Sequence, residues 1–303
     1  MSGQYHTPVL PEASVDGLNI DPSGVYVDLT FGGGGHSRSI LERLGSKGRL
    51  IAFDQDADAW ENALGDKRFT LVKHNFRYLE NFIDYLGISS IDGVLADLGV
   101  SSHHFDAPER GFSFRFDGPL DMRMSPGIKQ TAADVLNNYP ADRLFTVFKM
   151  YGEIAKPGRL VSSVLRFREA SPFENTLQLK EVAEQSAPRK DEGSKYLARV
   201  FQALRIEVNN EMTALQDLLL QLPDLLKPGG RMVFISYHSL EDRMVKNFIR
   251  SGRYDTAQAE TDIYGNRKVP FRAVTRKAVM PSENEVLKNP RARSAKLRIA
   301  ERL

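Results

Sequence analysis

The chain has 303 residues, 41% of them hydrophobic, with 41 Lys+Arg against 39 Asp+Glu and no cysteine. That length is about two ordinary domains and can bury a core, which argues against disorder throughout. The missing cysteine excludes disulfides, Cys-ligated zinc and thiol catalysis and suits a reducing, cytoplasmic setting. MSGQYHTPVLPEAS lacks a basic region followed by an apolar stretch, and no apolar run approaches a bilayer span, so neither a signal peptide nor a membrane partner is expected.

Residues 25–31, VYVDLTF, read as a buried strand, β-branched, aromatic and short. GGGGHS follows, then SRSILERLG with apolar residues at helical spacing and a Gly stop. Residues 49–56, 69–76 and 91–99 read as three further strands. This alternation predicts an α/β fold with a parallel sheet and right-handed crossovers.

The alternation lapses over 100–205, where a turn-rich stretch at 101–127 precedes helical patterns such as TLQLKEVAEQ and KYLARVFQAL. It resumes at 211–226, where Met212, Leu215, Leu218, Leu219, Leu222, Leu225 and Leu226 line one helix face. Lys227-Pro228-Gly229-Gly230 reads as a turn and RMVFISY as a strand. The next helix reads as capped by Ser239, with Asp242 three residues on. FRAVTRKAV and AKLRIAERL suit an antiparallel pair closing the sheet. The expected organisation is one α/β domain from residues 1–102 and 206–303, with a mainly helical domain, 103–205, inserted.

Charge is unevenly placed. Residues 267–303 carry 11 Lys/Arg against 3 Asp/Glu, on an otherwise acidic chain. Such a segment is either a solvated face or a contact for a polyanion.

The chemistry-bearing residues stand at strand ends. Gly32–Gly35 follow the first strand, where open α/β sheets bind ligands and where glycine allows close backbone approach. A dinucleotide G-x-G-x-x-G would need glycine at Ser37. The run fits Asp28-x-Thr30-x-Gly32-x-Gly34 better. That pattern suits S-adenosylmethionine, whose carboxylate a helix N-terminus can hold; the alternative is a plain structural turn. Asp54, after the second strand, is a candidate for ribose hydroxyls or a solvated strand-end acid, with Asp56 and Asp58 as neighbours. Phe76 after the third strand could lie by an adenine or belong to the core.

Asp97 ends the fourth strand in Asp-Leu-Gly-Val-Ser-Ser. An oxygen placed there could accept an N–H from an exocyclic amine and favour its nucleophilic form, could bind cofactor, or could cap the next segment. His238, after the following strand, is a candidate proton acceptor or a hydrogen-bonded helix-start histidine. The six histidines show no metal-ligand spacing, and no metal is expected. Neither a nucleophile elbow nor a phosphate-binding Walker motif occurs. Arg110–Phe116, RGFSFRF, could meet phosphates and bases or pack the inserted domain. Asn289–Ser294, NPRARS, is a phosphate clamp or the lead-in to a basic strand.

Together these segments resemble the RsmH (MraW) family of bacterial 16S rRNA cytosine-N(4)-methyltransferases. The resemblance spans nearly the whole chain: His6-Thr7-Pro8-Val9-Leu10, GGGGHS, DLGVSS, Glu109 through Arg123, FQALRIEVN, YHSLEDR and NPRARSAKLR, in that order. It implies a class I, Rossmann-like S-adenosylmethionine methyltransferase sheet with an inserted helical substrate-recognition domain. It also implies S-adenosyl-L-methionine as cofactor, 16S rRNA within the small ribosomal subunit as partner, and methylation of a decoding-centre cytosine at its exocyclic amine. Carried over residue by residue, cofactor contacts fall on Gly34, Gly35, His36, Asp54, Phe76, Asp97 and His104. The chain departs from the family at His103-His104, where Pro-Gln is common, and at Ala198-Arg199-Val200, where many members have Thr-Arg-Thr. The competing readings are a nicotinamide dehydrogenase and a non-catalytic ribosome-assembly factor that keeps the fold.

Overall fold

The computed structural model describes residues 8–188, 193–255 and 269–303. His6 and Thr7 of the amino-terminal motif, and Arg267 and Lys268 of the basic segment, lie outside the described residues. The chain forms two compact units, Met1–Gly99 with Met212–Leu303, and Val100–Glu211.

The first unit is built on seven strands: β1 Val25–Asp28, β2 Arg49–Phe53, β3 Phe69–Val72, β4 Ile91–Asp97, β5 Leu226–Ser236, β6 Phe271–Ala273 and β7 Lys296–Arg302. Their order is β3-β2-β1-β4-β5-β7-β6. β7 runs antiparallel to both β5 and β6, while β1 to β5 pair in parallel. This is the Rossmann-like class I arrangement. Strand order reverses between β1 and β4, and at such a switch point the carboxyl ends of the strands leave a crevice for a ligand.

Helices α1 Pro11–Gly17, α2 Gly35–Arg43, α3 Ala57–Trp60 and α4 Leu79–Tyr85 accompany the first four strands. α11 Glu211–Leu225 leads into β5, α12 Ser239–Ser251 follows it, and α13 Glu283–Lys288 precedes a 3-10 turn, Pro290–Ser294. The leucine stripe behaves as its spacing predicts: Leu215, Leu218, Leu219, Leu222 and Leu225 are buried with Val27, Ile51, Val94 and Phe234. A second cluster joins Val9, Leu10, Val15, Ile40 and Leu41 to Val233, Ile235, Ala292 and Leu297. The sheet is thus buried on both faces, which is why its parallel strands read as continuous apolar runs.

The strands anticipated as 25–31, 49–56 and 69–76 stop earlier, at Asp28, Phe53 and Val72. Asp28 Oδ1 accepts the Thr30 amide (3.1 Å), Asp54 Oδ1 that of Asp56 (2.9 Å), and Asn75 Oδ1 that of Arg77 (2.9 Å). Each side chain bonds its own backbone two residues on, which makes a local turn at or just past the strand end.

Two other expectations need correction. Lys227–Gly230 does not separate helix from strand; it bulges within β5, where register jumps from Ile91↔Leu226 to Gly93↔Arg231. Gly229 takes φ +82° there, and Lys227 Nζ lies 2.8 Å from both carboxylate oxygens of Asp92. The cap of α12 is His238 rather than Ser239. Its ring accepts the Glu241 amide, and Glu241 returns the bond to the His238 backbone.

The second unit is helical: α5 Ser102–Asp106, α6 Ala132–Asn138, α7 Ala141–Met150, α8 Gly158–Ala170, α9 Thr176–Ser186 and α10 Gly193–Asn209. Reciprocal capping boxes start α6 (Thr131, Asp134) and α9 (Asn175, Gln178). Leu136, Leu144, Phe148, Leu160, Leu179 and Phe201 are among its core. A boundary at 206 falls inside α10. Asn209, in the last turn of that helix, accepts the Met124 amide (2.7 Å) and donates to the Met122 carbonyl (2.7 Å), so the unit extends to Glu211. Among the described residues, no helix is long and apolar enough to cross a membrane.

Candidate cofactor and methyl-transfer site

The glycine run is shaped by its backbone. Gly32 and Gly34 have φ of +51° and +74°, values that glycine adopts without a steric penalty. A Cβ on Gly32 would meet nothing within 4 Å, so open space lies in front of it. A Cβ on Gly34 would lie 2.9 Å from the Phe31 ring, and one on Gly35 3.0 Å from Pro8. Gly34 caps α2 without a side chain, which leaves the first-turn amides of that helix for a ligand. Beneath the loop, the wholly buried Asp28 accepts the Ser37 hydroxyl at 2.6 Å, and burial raises its pKa.

Asp54 is not a solvated strand-end acid. Its Oδ2 accepts the Gly32 amide (2.8 Å) and its Oδ1 the Asp56 amide, so it ties the glycine loop to the end of β2. Burial dominates and pushes its carboxyl up to about 6, against the lowering effect of those two amides. Each oxygen keeps a lone pair, which is what a vicinal ribose diol requires. Trp60, the only tryptophan, donates its indole N–H to the Asp54 carbonyl (2.9 Å). Phe76 starts a 3-10 turn and is half-buried against the sheet core, so packing uses part of its ring. The preceding Asn75 donates to Gln55 Oε1 (2.8 Å), linking the turns after β3 and β2.

Asp97 sits at the end of β4, beside the switch point, and is held from three strands or helices. Its amide donates to Thr30 Oγ1 (2.7 Å). Its Oδ1 accepts the Tyr237 hydroxyl (2.7 Å). Its Oδ2 lies 4.0 Å from His36 Nδ1. His36 is buried and its Nε2 donates to the Val9 carbonyl (3.0 Å), which directs Nδ1 toward the carboxylate. The Tyr237 phenol is driven well above its ordinary range, first by burial and then by the Asp97 charge, so it stays a donor.

Tyr237 and Thr30 are the residues that sequence reasoning missed here. Both lie inside quoted motifs, but nothing in their spacing says that they converge on Asp97. His238 is committed to the α12 cap, with Nδ1 accepting the Glu241 amide (3.4 Å) and Nε2 3.1 Å from Glu241 Oε1. His104 belongs to the helical unit, where Nδ1 lies 2.9 Å from Ser101 Oγ and the ring packs on Phe112 with centroids 4.7 Å apart. The structure thus gathers Gly34, Gly35, His36, Asp54 and Asp97 at one edge of one sheet.

A model of the MraW methylase family matches residues 3–303. The chain belongs to the MraW methylase family. Family membership makes it a methyltransferase and removes the dehydrogenase reading. Among relatives, Ribosomal RNA small subunit methyltransferase H of Parabacteroides distasonis is 55% identical over 300 residues, covering 99% of this chain and 98% of that one. The protein of the same name from Bacteroides thetaiotaomicron is 54% identical, covering 98% and 97%. A solved rRNA methylase from Streptococcus thermophilus aligns over 98% of this chain and 99% of its own at 12% identity, with a TM-score of 0.44.

Proposed function

We propose that this MraW-family methylase transfers the methyl group of S-adenosylmethionine to the exocyclic N(4) amine of a decoding-centre cytosine in 16S rRNA, acting on the small ribosomal subunit in the cytoplasm. The observation that carries the reading is Asp97: a carboxylate at the switch point, one oxygen fixed by Tyr237 and the other facing His36, at the edge that bears the glycine loop and Asp54. The rRNA substrate is supported by the names of relatives above half identity over nearly full length.

The residues present fit the cofactor. The open front of Gly32 and the uncapped start of α2 suit its methionine carboxylate, and Asp54 suits its ribose. When bound, the cofactor supplies a sulfonium methyl that is already electrophilic. The chain's task is therefore to position and orient. A covalent adduct with the base would call for a strong nucleophile such as cysteine, and the sequence has none. Asp97 accepts an N–H of the cytosine amine and turns its lone pair toward the methyl carbon. With donor and base in place, Asp97 would hold the amine in line with the methyl group and would take up the proton that the amine gives up. We assign recognition of the folded substrate to the helical unit, with Phe76 completing the cofactor contacts of the sheet unit.

Transfer of labelled methyl from S-adenosylmethionine to small-subunit particles that lack the modification tests this function. Activity on particles far above that on a short oligonucleotide is expected. Particle binding without transfer would instead support an assembly factor. Tight NAD binding in calorimetry, with none for S-adenosylmethionine, would overturn the cofactor assignment.

A further inference from the structure

The basic carboxyl-terminal segment is not uniformly available. Arg272 pairs with Glu301 (2.5 Å), Lys296 and Arg298 share Asp242 (3.3 and 2.7 Å), and Arg302 donates to the Pro223 carbonyl (2.8 Å). Arg291, though exposed, is engaged in an interaction of its own. Arg276, Lys277, Lys288 and Arg293 are exposed and form no ion pair among the described residues.

Topology puts Arg293 at the ligand edge of the sheet, Arg276 and Lys277 on the outer flank of β7 near that edge, and Lys288 beside the amino-terminal loop. β7 is antiparallel, and its first residue, Lys296, pairs with Ser236, the last of β5. The 3-10 turn bearing Arg293 therefore precedes β7 at the carboxyl ends of the parallel strands. Val274 donates to the Ile299 carbonyl and Val279 to that of Leu297, so residues 275–278 loop out opposite Arg298 alone. Arg276 and Lys277 stand in that loop. Lys288 ends α13, which is pinned to the amino-terminal loop: Glu285 Oε1 accepts the Leu10 amide at 2.6 Å, next to the Val9 carbonyl that holds His36.

We propose that Arg276, Lys277, Lys288 and Arg293 form a phosphate-contact surface that docks the RNA backbone beside the methyl-transfer edge. This rests on the rRNA substrate reading above. Cations without counter-ions carry no penalty for breaking an existing pair, and each phosphate they neutralise releases condensed counterions. The neighbouring side chains of Met280 and Leu287 are 51% and 79% exposed and offer apolar contact to sugars and bases between the charges.

The test compares the full chain with Arg276→Gln/Lys277→Gln/Lys288→Gln/Arg293→Gln, and with a control, Lys47→Gln/Lys67→Gln. The control removes exposed cations just ahead of β2 and β3, at the opposite edge. Affinity for unmodified small-subunit particles is measured across salt, with turnover and cofactor affinity alongside. The fourfold variant should lower the slope of log K against log salt by about 3 and raise KM for particles about 10- to 100-fold, with kcat and cofactor affinity within about twofold. The control should keep the parent slope. An unchanged slope in the fourfold variant, or an equal loss in the control, overturns the proposed surface. A parent protein that neither binds nor methylates the particles overturns the substrate reading itself and the surface with it.

Discussion

At the carboxyl edge of the sheet, Asp28, Asp54, Asn75 and Asp97 each lie at or just past the end of a strand, and the first three bond the backbone two residues on. In the helical unit, the motif residues of Arg110–Phe116 are divided instead. Phe112 is buried, Phe114 packs edge-on to Phe201 with centroids 5.5 Å apart, and Phe116 is 45% exposed. A parallel strand has one direction and one ligand end, so a residue's place along it already states where its side chain acts. A helix-and-turn motif has no such end, and packing decides its residues singly. The polar side chains at these strand ends in the first unit also shape the candidate site.

If that contrast is right, the largest effect belongs to Gly34→Val. The substitution forces a β-branched residue to φ +74° and into the Phe31 ring, and should abolish cofactor binding in calorimetry while the helical unit stays folded by circular dichroism. Asp97→Ala should lower kcat by about 10²- to 10⁴-fold at saturating cofactor and RNA. Cofactor affinity must be measured alongside, because Asp97 also anchors Tyr237. In the helical unit, Phe112→Ala should cost stability instead, about 3–5 kcal/mol in denaturant titration, whereas Phe116→Ala should stay within about 0.5 kcal/mol. Equal losses at both would break the contrast.

Asp54→Ala should weaken cofactor binding about 10- to 100-fold, read from the fluorescence of Trp60. The pH dependence sharpens this. With its carboxyl at about 6, Asp54 takes up a proton as pH falls from 7 to 5 and can no longer accept from both ribose hydroxyls. Affinity should fall across that window, by at most about tenfold per pH unit below 6, and flatten above 7. Asp54→Asn should remove the dependence. The stability sign is opposite: a carboxyl raised from 3.8 favours the protonated folded state, so its contribution to stability falls as pH rises from about 4 to 6. Of the site variants, Tyr237→Phe should have the smallest effect, a few-fold loss of kcat with cofactor affinity unchanged, since Thr30 and His36 still flank Asp97.

Much of the first unit was legible because burial on both faces writes strands as apolar runs and because glycines mark the turn that follows. Asp54 and Asp97 could be located from strand ends alone. The bulge at Lys227–Gly230 could not, since Pro-Gly-Gly looks the same whether the chain leaves the sheet or buckles within it. His238 is legible as a hydrogen-bonded helix-start histidine, but the cap itself reads as Ser239, because serine commonly plays that part and histidine rarely does. The convergence of Thr30, His36 and Tyr237 on Asp97 is a product of sheet order, which brings together residues more than 200 positions apart. In the basic segment, charge was legible but availability was not: which cations are neutralised depends on Asp242 and Glu301, set by strand pairing.

The most direct test of the central claim is nucleoside mass spectrometry of the rRNA from small-subunit particles after reaction with this enzyme and labelled S-adenosylmethionine. The account predicts one labelled methyl on the exocyclic amine of a cytosine, strongly reduced with Asp97→Ala. A label on a ring carbon or a ribose oxygen, or full labelling by Asp97→Ala at the same rate, would contradict it.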